Sequence, residues 1–469
     1  MFERTVEFLR GVKGKMLGRK AVEKMLQIEV LQSPQMSSAI KLWEQVYLNK
    51  PDWVGSEVKG RNMGAAIASE MARLVMTDFA VNFEGDDRAG TINSVWKDVL
   101  SPNIRTYTEY AIALGGGIFK PFMDDTGIIG VDFVKAGNFY PTHFTPAGDI
   151  SGAIFPTERI KGKDVYYLIE YQYLQGDTLI IENKAYKATS FLGDMNLKEI
   201  PLSTLEEWSS LEPIIHIENM ERPLFSYFRM PLANNIDLNS PLGASVYSRA
   251  IPMLEDLDRL YTNYNWEFES GKRAIYVDTN AFAVDEKTGE RLIPDKRLYR
   301  TMRRMSVDGS INLFEDFTPE FREQALSNGM NNLMMAIEDA CGLARGTYSL
   351  LTFATAKTAT ELKISLQRSF HTVVDVQNAL EMSLMQLFNA VDILATLYGV
   401  DGGGTYTALY TFGDSVLDDP DKMFQQQMQM MTAGIIEPWE FYMWYFKVDE
   451  ETAREHSSGF SEVLFGGDG

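Results

Sequence analysis

The hydrophobic pattern of the chain is most regular between residues 362 and 397, where neither proline nor glycine occurs. Apolar side chains recur there every three or four residues, with Gln377 filling the single gap: Leu366, Phe370, Val373, Leu380, Leu384, Leu387, Val391 and Leu394. This period predicts one α-helix. The preceding Thr358-Ala359-Thr360-Glu361 can form a capping box, in which a threonine hydroxyl and a glutamate satisfy free N–H groups of the first turn. A helix of roughly 40 residues would be about 60 Å long.

The segment immediately before this helix differs from the rest of the chain in charge. Residues 343–357 contain no aspartate or glutamate, and their two cations are Arg345 and Lys357. An acid-free loop beside a long rigid helix suggests a part that protrudes and is held in place. The alternative is an ordinary surface loop ahead of a core helix in a large helix-rich protein, and the residues alone fit both interpretations.

The N-terminal half combines helices with antiparallel strands. Helical spacing is found at 33–48, 61–77 and 91–114, and the last of these ends at Gly115-Gly116-Gly117. The triple glycine follows a helix and lacks the Lys-Ser/Thr of a phosphate-binding loop, so it indicates a helix C-cap that leads into a strand. From residue 118 to 217 the period switches to two, and hairpin-type turns separate the strand-like runs. This predicts an antiparallel β unit flanked by helices, and therefore an α+β fold that is mostly helical.

Two further helical patterns enclose a short basic insert. The first follows Asn239-Ser240-Pro241, an N-cap with proline, and its inner Pro252 predicts a kink or a fresh helix start. The second is expected from Thr318-Pro319 to Cys341, closed by Gly342. Between them, β-like pieces at 274–277 and 311–314 bracket a basic segment, residues 291–304, whose single acid is Asp295. Its six cations are Arg291, Lys296, Arg297, Arg300, Arg303 and Arg304. In so acidic a chain, this segment is either a solvated face or a docking surface for an acidic partner or DNA.

The C-terminal part begins at Gly402-Gly403-Gly404, which we interpret as a flexible joint. From Asp401 onward the chain holds 13 acids and 3 cations. Helical spacing is found at 420–433 and 437–446, and methionine and aromatic residues give these helices an apolar face.

Composition narrows the class of protein. The 469 residues are 45% hydrophobic and 23% charged, typical of a folded globular chain, and the net charge of −21 argues against broad nucleic-acid binding by a monomer. The apolar runs are broken by charge, so we expect no membrane-spanning segment. Residues 1–25 predict a basic amphipathic helix rather than a signal peptide. The single Cys341 excludes an internal disulfide, and the four histidines have no ligand-like spacing, so no metal, cofactor or catalytic residue is expected.

The order of these parts resembles the portal proteins of tailed bacteriophages, most closely those of siphophages infecting Gram-positive bacteria. The resemblance covers nearly the whole chain. Its most specific pieces are Ser240-Pro241-Leu242-Gly243, the Thr358-Ala359-Thr360-Glu361 helix start, and Phe412-Gly413-Asp414 before the C-terminal helices. A long helix ending in Glu267-Phe268-Glu269-Ser270-Gly271-Lys272-Arg273 before the compact insert also fits.

The resemblance implies a twelve-fold ring at one capsid vertex, through which double-stranded DNA is packaged and ejected. It places a wing at 1–239, stem helices at 240–271 and 319–343, a clip at 272–318, a tunnel loop at 344–357, a long wing-to-crown helix at 358–399 and a crown at 400–469. Implied partners are the terminase large subunit, a head-completion adaptor, and the major capsid and scaffolding proteins, with no membrane. The protein would belong to the virion and, during assembly, to the host cytoplasm.

The resemblance also directs attention to two groups of residues. The tunnel-loop candidates for facing DNA are Arg345, Thr347, Tyr348, Phe353 and Lys357. For the two aromatic residues, we expect burial between subunits rather than direct contact with DNA. The clip candidates for docking are the six cations of the basic segment. Twelve copies at −21 each give −252, and such a wall repels DNA and keeps it from sticking, within a screening length of about 8–10 Å.

Two other classes of protein fit parts of the sequence. One is a monomeric adaptor or scaffold that binds partners through its acidic C-terminal helices. The other is a hydrolase built on the 118–217 β unit, against which the scattered histidines and the lack of a nucleophile elbow argue. The mass of the particle distinguishes a ring from these two alternatives, which would have a mass near that of one chain.

Overall fold

The fold was analysed in a computed structural model. It describes residues 17–454 except for 125, 189–196, 272–273, 279–298, 303–313, 318–319, 351–358, 413–419, 433–434, 447, 449 and 451. Helices and antiparallel sheets are both present, as the α+β prediction requires. The described helices of eight or more residues are α1 (Arg19–Leu26), α2 (Pro34–Tyr47), α3 (Met63–Val75), α4 (Asp87–Ser94), α5 (Ile104–Leu114), α6 (Ile251–Ser270), α7 (Glu323–Cys341), α8 (Ala359–Tyr398), α9 (Pro420–Thr432) and α10 (Pro438–Phe446).

The described strands form four sheets, and the β unit expected at 118–217 is divided between two of them. In chain order they are β1 (Ala80–Gly85), β2 (Gly116–Met123), β3 (Ile129–Lys135), β4 (Tyr140–Phe144), β5 (Ile150–Lys161), β6 (Asp164–Gln175), β7 (Thr178–Ala188), β8 (Leu197–Ile200), β9 (Ile214–Ile217), β10 (Ser226–Arg229), β11 (Ala274–Asp278), β12 (Tyr299–Met302), β13 (Phe314–Phe317) and β14 (Tyr406–Thr411). The largest sheet has the antiparallel order β4-β5-β6-β7-β8, with β9 also on β7. A second sheet, β10-β2-β3, covers the long helix α8.

One large hydrophobic core joins the helices to the small sheets. Its fully buried aromatic side chains come from distant parts of the chain, and they include Trp43, Phe119, Phe228, Tyr247 and Phe388. A separate cluster packs α1 through Leu17 and Val22 against the tyrosine-rich face of the six-stranded sheet. Large apolar side chains in contact stabilise a fold by about 1.5–3 kcal/mol each, so both clusters are major contributors to stability.

Helix α6 begins ten residues later than the Ser240-Pro241 cap predicted. Residues 241–250 form buried turns whose backbone bonds to other elements, for example Val246 N–H to the carbonyl of Ile112 at 3.1 Å. Gly243 passes so close to Gly115 that a Cβ would collide with its carbonyl oxygen. The helix starts at Ile251 with Pro252 in its first turn, where a missing N–H costs nothing. The alternative of a fresh start at Pro252 is therefore confirmed.

Helix α8 confirms the long unbroken helix, with 40 residues. Its segment Ser369–Tyr398 is long and apolar enough to cross a membrane, which the broken apolar runs of the sequence had not led us to expect, and half of it is buried inside the fold. Leu380, Leu384 and Leu387 all lie in the main core. This is the environment of a core helix.

The glycine-rich segment after α8 is not a free joint. Strand β14 pairs antiparallel with β1, from Ala80 opposite Thr411 to Gly85 opposite Tyr406. Asp86 accepts a hydrogen bond from Thr405 N–H at 3.0 Å, and Gly403 and Gly404 have positive φ values of 81° and 115°. The glycines thus allow the chain to reverse and add a strand to the N-terminal half.

A buried arginine fixes this reversal. Arg88 on α4 is 3% exposed, and its Nε lies 3.0 Å from both carboxylate oxygens of Asp401. Its Nη1 donates to the Asp392 carbonyl at 2.5 Å, to the Asp392 carboxylate, and to the Thr396 hydroxyl at 3.0 Å. Hydrogen bonds from Thr91, Gly403 and Arg88 hold the pKa of Asp401 below its ordinary value. One guanidinium therefore joins α4 to the end of α8 and to the strand that follows.

We expect Arg88→Met to lower the free energy of unfolding by about 3 kcal/mol, because it leaves the largely buried Asp401 and the partly exposed Asp392 without their counter-charge. Arg259→Met, which removes an exposed ion pair with Glu255 on α6, should change stability by less than about 0.5 kcal/mol. Urea unfolding at one fixed protein concentration measures both. We call Arg88, Asp392, Thr396 and Asp401 the Arg88 cluster. Equal effects of the two substitutions would show that this cluster contributes no more to stability than an exposed ion pair.

Candidate functional site

The residues that follow α7 form a short, tightly bonded segment. Gly342 has φ +72° and ends the helix, as its position after Cys341 predicted. Residues 343–350, which we call the loop root, then fold back along the C-terminal half of α7, from Glu338 to Asn331. This places the first half of the predicted tunnel loop against the helix that precedes it.

Glu338 organises the loop root. It is fully buried, and its carboxylate accepts N–H groups from Gly346 at 3.2 Å, Tyr348 at 2.5 Å and Ser349 at 2.8 Å. The Ser349 hydroxyl adds a fourth bond at 2.7 Å. A carboxylate can be removed from water only when such donors replace its solvation. The charge of Glu338 therefore selects this one conformation of the root.

Two further contacts fasten the root to its surroundings. The Asn331 side chain accepts the N–H of Leu350 at 2.6 Å and donates to its carbonyl at 3.2 Å. The Tyr348 hydroxyl donates to the carbonyl of Ala66 on α3 at 2.7 Å. Burial raises the pKa of Tyr348 well above its ordinary value, so this hydroxyl remains a donor at physiological pH. The root is thereby attached to both α7 and the N-terminal half.

The structure describes three of the five tunnel-loop candidates. Arg345 is exposed and forms an ion pair with Asp339 at 2.6 Å. The Thr347 hydroxyl bonds to the Ala344 carbonyl at 2.6 Å, and Tyr348 packs within its own subunit. Phe353 and Lys357 lie outside the described residues. A DNA contact by any of the five stays a prediction.

Helices α6 and α7 form an antiparallel pair. Two acids of α6 fasten it: Glu267 binds the start of α7, and Asp258 binds the N-terminal half. Glu267 accepts bonds from the Arg322 backbone at 3.0 Å and from its Nη2 at 2.7 Å, and this ion pair lowers the pKa of Glu267. Toward the other end, buried Asp258 accepts Trp53 Nε1–H at 3.0 Å and Arg61 N–H at 2.7 Å. The pair is therefore anchored to the N-terminal half at one end, while at the other end the two helices are bound to each other.

A three-stranded sheet lies in the chain between the end of α6 and the start of α7. Strand β11 pairs in parallel with β12 and antiparallel with β13. The strands predicted at 274–277 and 311–314 correspond to β11 and, three residues later in the chain, to β13; β12 was not predicted. Among the clip candidates, Arg300 lies in β12, where only its backbone is described. Arg291, Lys296, Arg297, Arg303 and Arg304 lie outside the described residues.

Sequence reasoning missed the buried acids and the buried arginine. Glu338 occupies a core-facing position of α7, between Ile337 and Cys341, and Asp258 follows Leu257 on α6. An acid on the apolar face of a helix was the available signal, because such a charge requires a partner. The sequence does not reveal which partner. Among the described residues, no three His, Cys, Asp or Glu side chains are grouped as a potential metal site.

Similarity to known proteins extends over most of the chain. A family model described as "Phage portal protein, SPP1 Gp6-like" matches residues 61–456. A solved chain described as "Virion of native gene transfer agent (GTA) particle" is 11% identical, with a TM-score of 0.41, covering 89% of this chain and 96% of that one. Another, "Neck of native GTA particle computed with C12 symmetry", is 10% identical, with a TM-score of 0.37 and coverages of 91% and 97%. No curated protein matches.

Both solved structures are distant, so the family match carries the assignment. It begins at Arg61, two residues before α3, and ends at residue 456, so it includes the loop root, the helix pair and the long helix. The chain belongs to the SPP1 Gp6-like family of phage portal proteins.

Proposed function

We propose that twelve copies of the chain form a closed ring at one vertex of a phage capsid, and that double-stranded DNA passes through its channel. The observation that carries this proposal is the family match over residues 61–456. The protein is then a structural part of the virion, assembled in the host cytoplasm, that needs no cofactor and performs no catalysis. We place a wing, stem, clip, tunnel loop and crown along the chain as the sequence resemblance implies.

The contacts refine two of these boundaries. The stem is the helix pair α6 and α7, so its first helix starts at Ile251 rather than residue 240. Strand β14 and the Arg88 cluster attach residues 401–411 to the N-terminal half. We therefore assign that stretch to the wing and begin the crown at α9.

The charge of the chain supports a conduit that does not bind DNA tightly. Each copy carries −21, and like charge repels the phosphate backbone. Arg345, the exposed cation of the loop root, is already paired with Asp339. A phosphate would have to replace that carboxylate, which makes any contact with DNA weak and brief. The channel wall can then guide DNA without retaining it.

The rigidity of the loop root supports a defined position for the tunnel loop. Glu338, Asn331 and Tyr348 fix residues 343–350 to α7 and α3. The remaining residues of the tunnel loop therefore follow a segment that is hydrogen-bonded to two helices. A loop held in this way can meet DNA at one level of the channel.

The ring itself is tested by mass. Twelve chains of 53.0 kDa should give a particle of about 640 kDa with a central hole, measured by mass photometry and negative-stain imaging down the axis. A particle near 53 kDa under all assembly conditions would favour the monomeric adaptor or the hydrolase instead.

The clip assignment is tested by charge. Replacing Arg297, Arg300, Arg303 and Arg304 together with Gln should weaken binding of the terminase or the adaptor at least tenfold, because an acidic partner loses its counter-charges. Rings should still form. A control variant with Gln at Lys41, Lys161, Lys163 and Lys198 has the same net charge and removes four exposed cations outside the clip. Equal binding by both variants in a pull-down titration would remove the basic segment from docking.

The loop root is tested by Glu338→Gln, which keeps the side-chain shape but replaces an acceptor oxygen with an N–H donor. We expect about 2 kcal/mol less protection of residues 346–349, from weakened bonds to a charged acceptor. This corresponds to about 30-fold faster amide hydrogen exchange. Rings should form, while procapsids carrying them package less DNA. Glu323→Gln, an exposed acid on the same helix, is the control. Full packaging despite a loosened root would show that root rigidity is dispensable.

A further inference from the structure

The six-stranded sheet has one end in the main core and the other end remote from it. At the first end, Ile150 and Ala153 of β5 and Leu179 and Ile181 of β7 belong to the main hydrophobic core. Strands β5 and β6 then run for 12 residues each to their connecting turn at Gly162. Twelve residues of a strand span about 40 Å. The β5–β6 turn, the end of β7 and the start of β8 therefore form the remote end of the sheet, which we call the tip.

Positive charge collects at the tip. Its five cations are Arg159, Lys161, Lys163, Lys187 and Lys198. The strand register places three of them in one row across β5, β6, β7 and β8, in the order Arg159, Tyr166, Lys187, Lys198. Residues directly opposite each other share one face of a sheet, so this row is a single cationic face with a tyrosine in it. In a chain with a net charge of −21, such a surface is exceptional.

The acids on the same face pair with only two of these cations. Asp164 Oδ2 lies 2.6 Å from Lys187 Nζ, and Glu207 Oε2 lies 2.8 Å from Arg159 Nε. The other acids of these strand ends follow or precede a row residue directly, and alternation along a strand places them on the opposite face: Glu158 and Glu199. The cationic face is therefore not neutralised by its own sheet.

Three lysines of the tip are left without a counter-charge. Lys161, Lys163 and Lys198 are exposed, and no carboxylate of the described residues forms an ion pair with them. Lys198 also lies directly opposite Lys187, and like charges in this position destabilise a sheet. A lysine on a short edge strand such as β8 discourages pairing with other strands, but this does not account for the two lysines at the β5–β6 turn. An anionic partner on the tip would relieve the repulsion and pair with all three.

The charge of the whole chain favours an acidic protein segment over DNA as this partner. Duplex DNA carries one charge per about 1.7 Å, and a chain of −21 repels such a polyanion beyond the few cations of the tip. A segment with a few acidic side chains meets mainly the nearby cations, because salt screens the rest within about 8–10 Å. Arginine and tyrosine, here Arg159 and the partly exposed Tyr166, are also the residue types that contribute most to protein–protein binding.

We propose that the tip docks an acidic segment of another protein. Its position supports an external partner, because the tip is the end of the sheet remote from the main core and about 40 Å from the strand ends that are buried there. We assign the terminase and the adaptor to the clip, so the partner of the tip is a third protein that surrounds the assembled molecule. This goes beyond the proposed function, and it does not require the ring.

A peptide titration tests the docking surface. Fluorescence anisotropy of a labelled oligoglutamate peptide measures binding to the full chain at low salt. Lys161→Gln, Lys163→Gln and Lys198→Gln together should weaken binding about tenfold, because three exposed charge contacts are lost. The control combines Lys41→Gln, Lys50→Gln and Lys97→Gln, which removes the same charge from exposed positions outside the sheet and should change binding less than about twofold. Equal weakening by both sets overturns the proposal. Tighter binding of a short DNA duplex than of the peptide, lost in the tip variant, also overturns it.

Lysine acetylation shows whether the tip is free for an external partner. The acetylation rates of Lys161, Lys163 and Lys198 are measured by mass spectrometry in dissociated subunits and in rings, with Lys41 as the reference. We expect equal rates in both, and slower acetylation of the three tip lysines alone when the oligoglutamate peptide is added. Protection of the tip on ring assembly would show that a neighbouring copy covers it, and the proposal would be wrong. Failure to form rings contradicts the proposed function, while the peptide titration still decides the role of the tip.

Discussion

The structure depends on charged side chains that are removed from water and must be fully paired. Glu338, Asp258 and Arg88 are all buried. Asp258 and Arg88 bind groups from segments distant in the chain, whereas Glu338 binds the loop root that follows its own helix. A buried charge without partners would cost several kcal/mol, so each of these side chains admits one arrangement of the segments around it. Apolar contacts hold the core together, but these ions decide how the loop root, the helix pair and β14 are attached to it.

This constraint suits a protein that must guide a polyanion without binding it. These arginines form ion pairs within one subunit: Arg88 with two aspartates, Arg322 with Glu267, and Arg345 with Asp339. In the described loop root, Arg345 is already paired with a carboxylate, while the net charge of −21 repels phosphate. The same ion pairs therefore hold the subunit together and leave these arginines unavailable to bind phosphate.

Local patterns in the sequence determined the elements that depend on neighbouring residues. The long helix α8, the Gly342 helix end, the turn at Gly115 and the helices α9 and α10 were all predicted, because periodicity and capping act within a few residues. The order of these elements was also sufficient to suggest the portal family. Tertiary structure alone decided that α6 starts at Ile251, that β14 pairs with β1 across more than 300 residues, and that Glu338 holds the loop root. The first two features depend on partners far away in the chain, and the third depends on how the chain turns back onto α7 after Gly342. A local hydrophobic pattern contains no information about either.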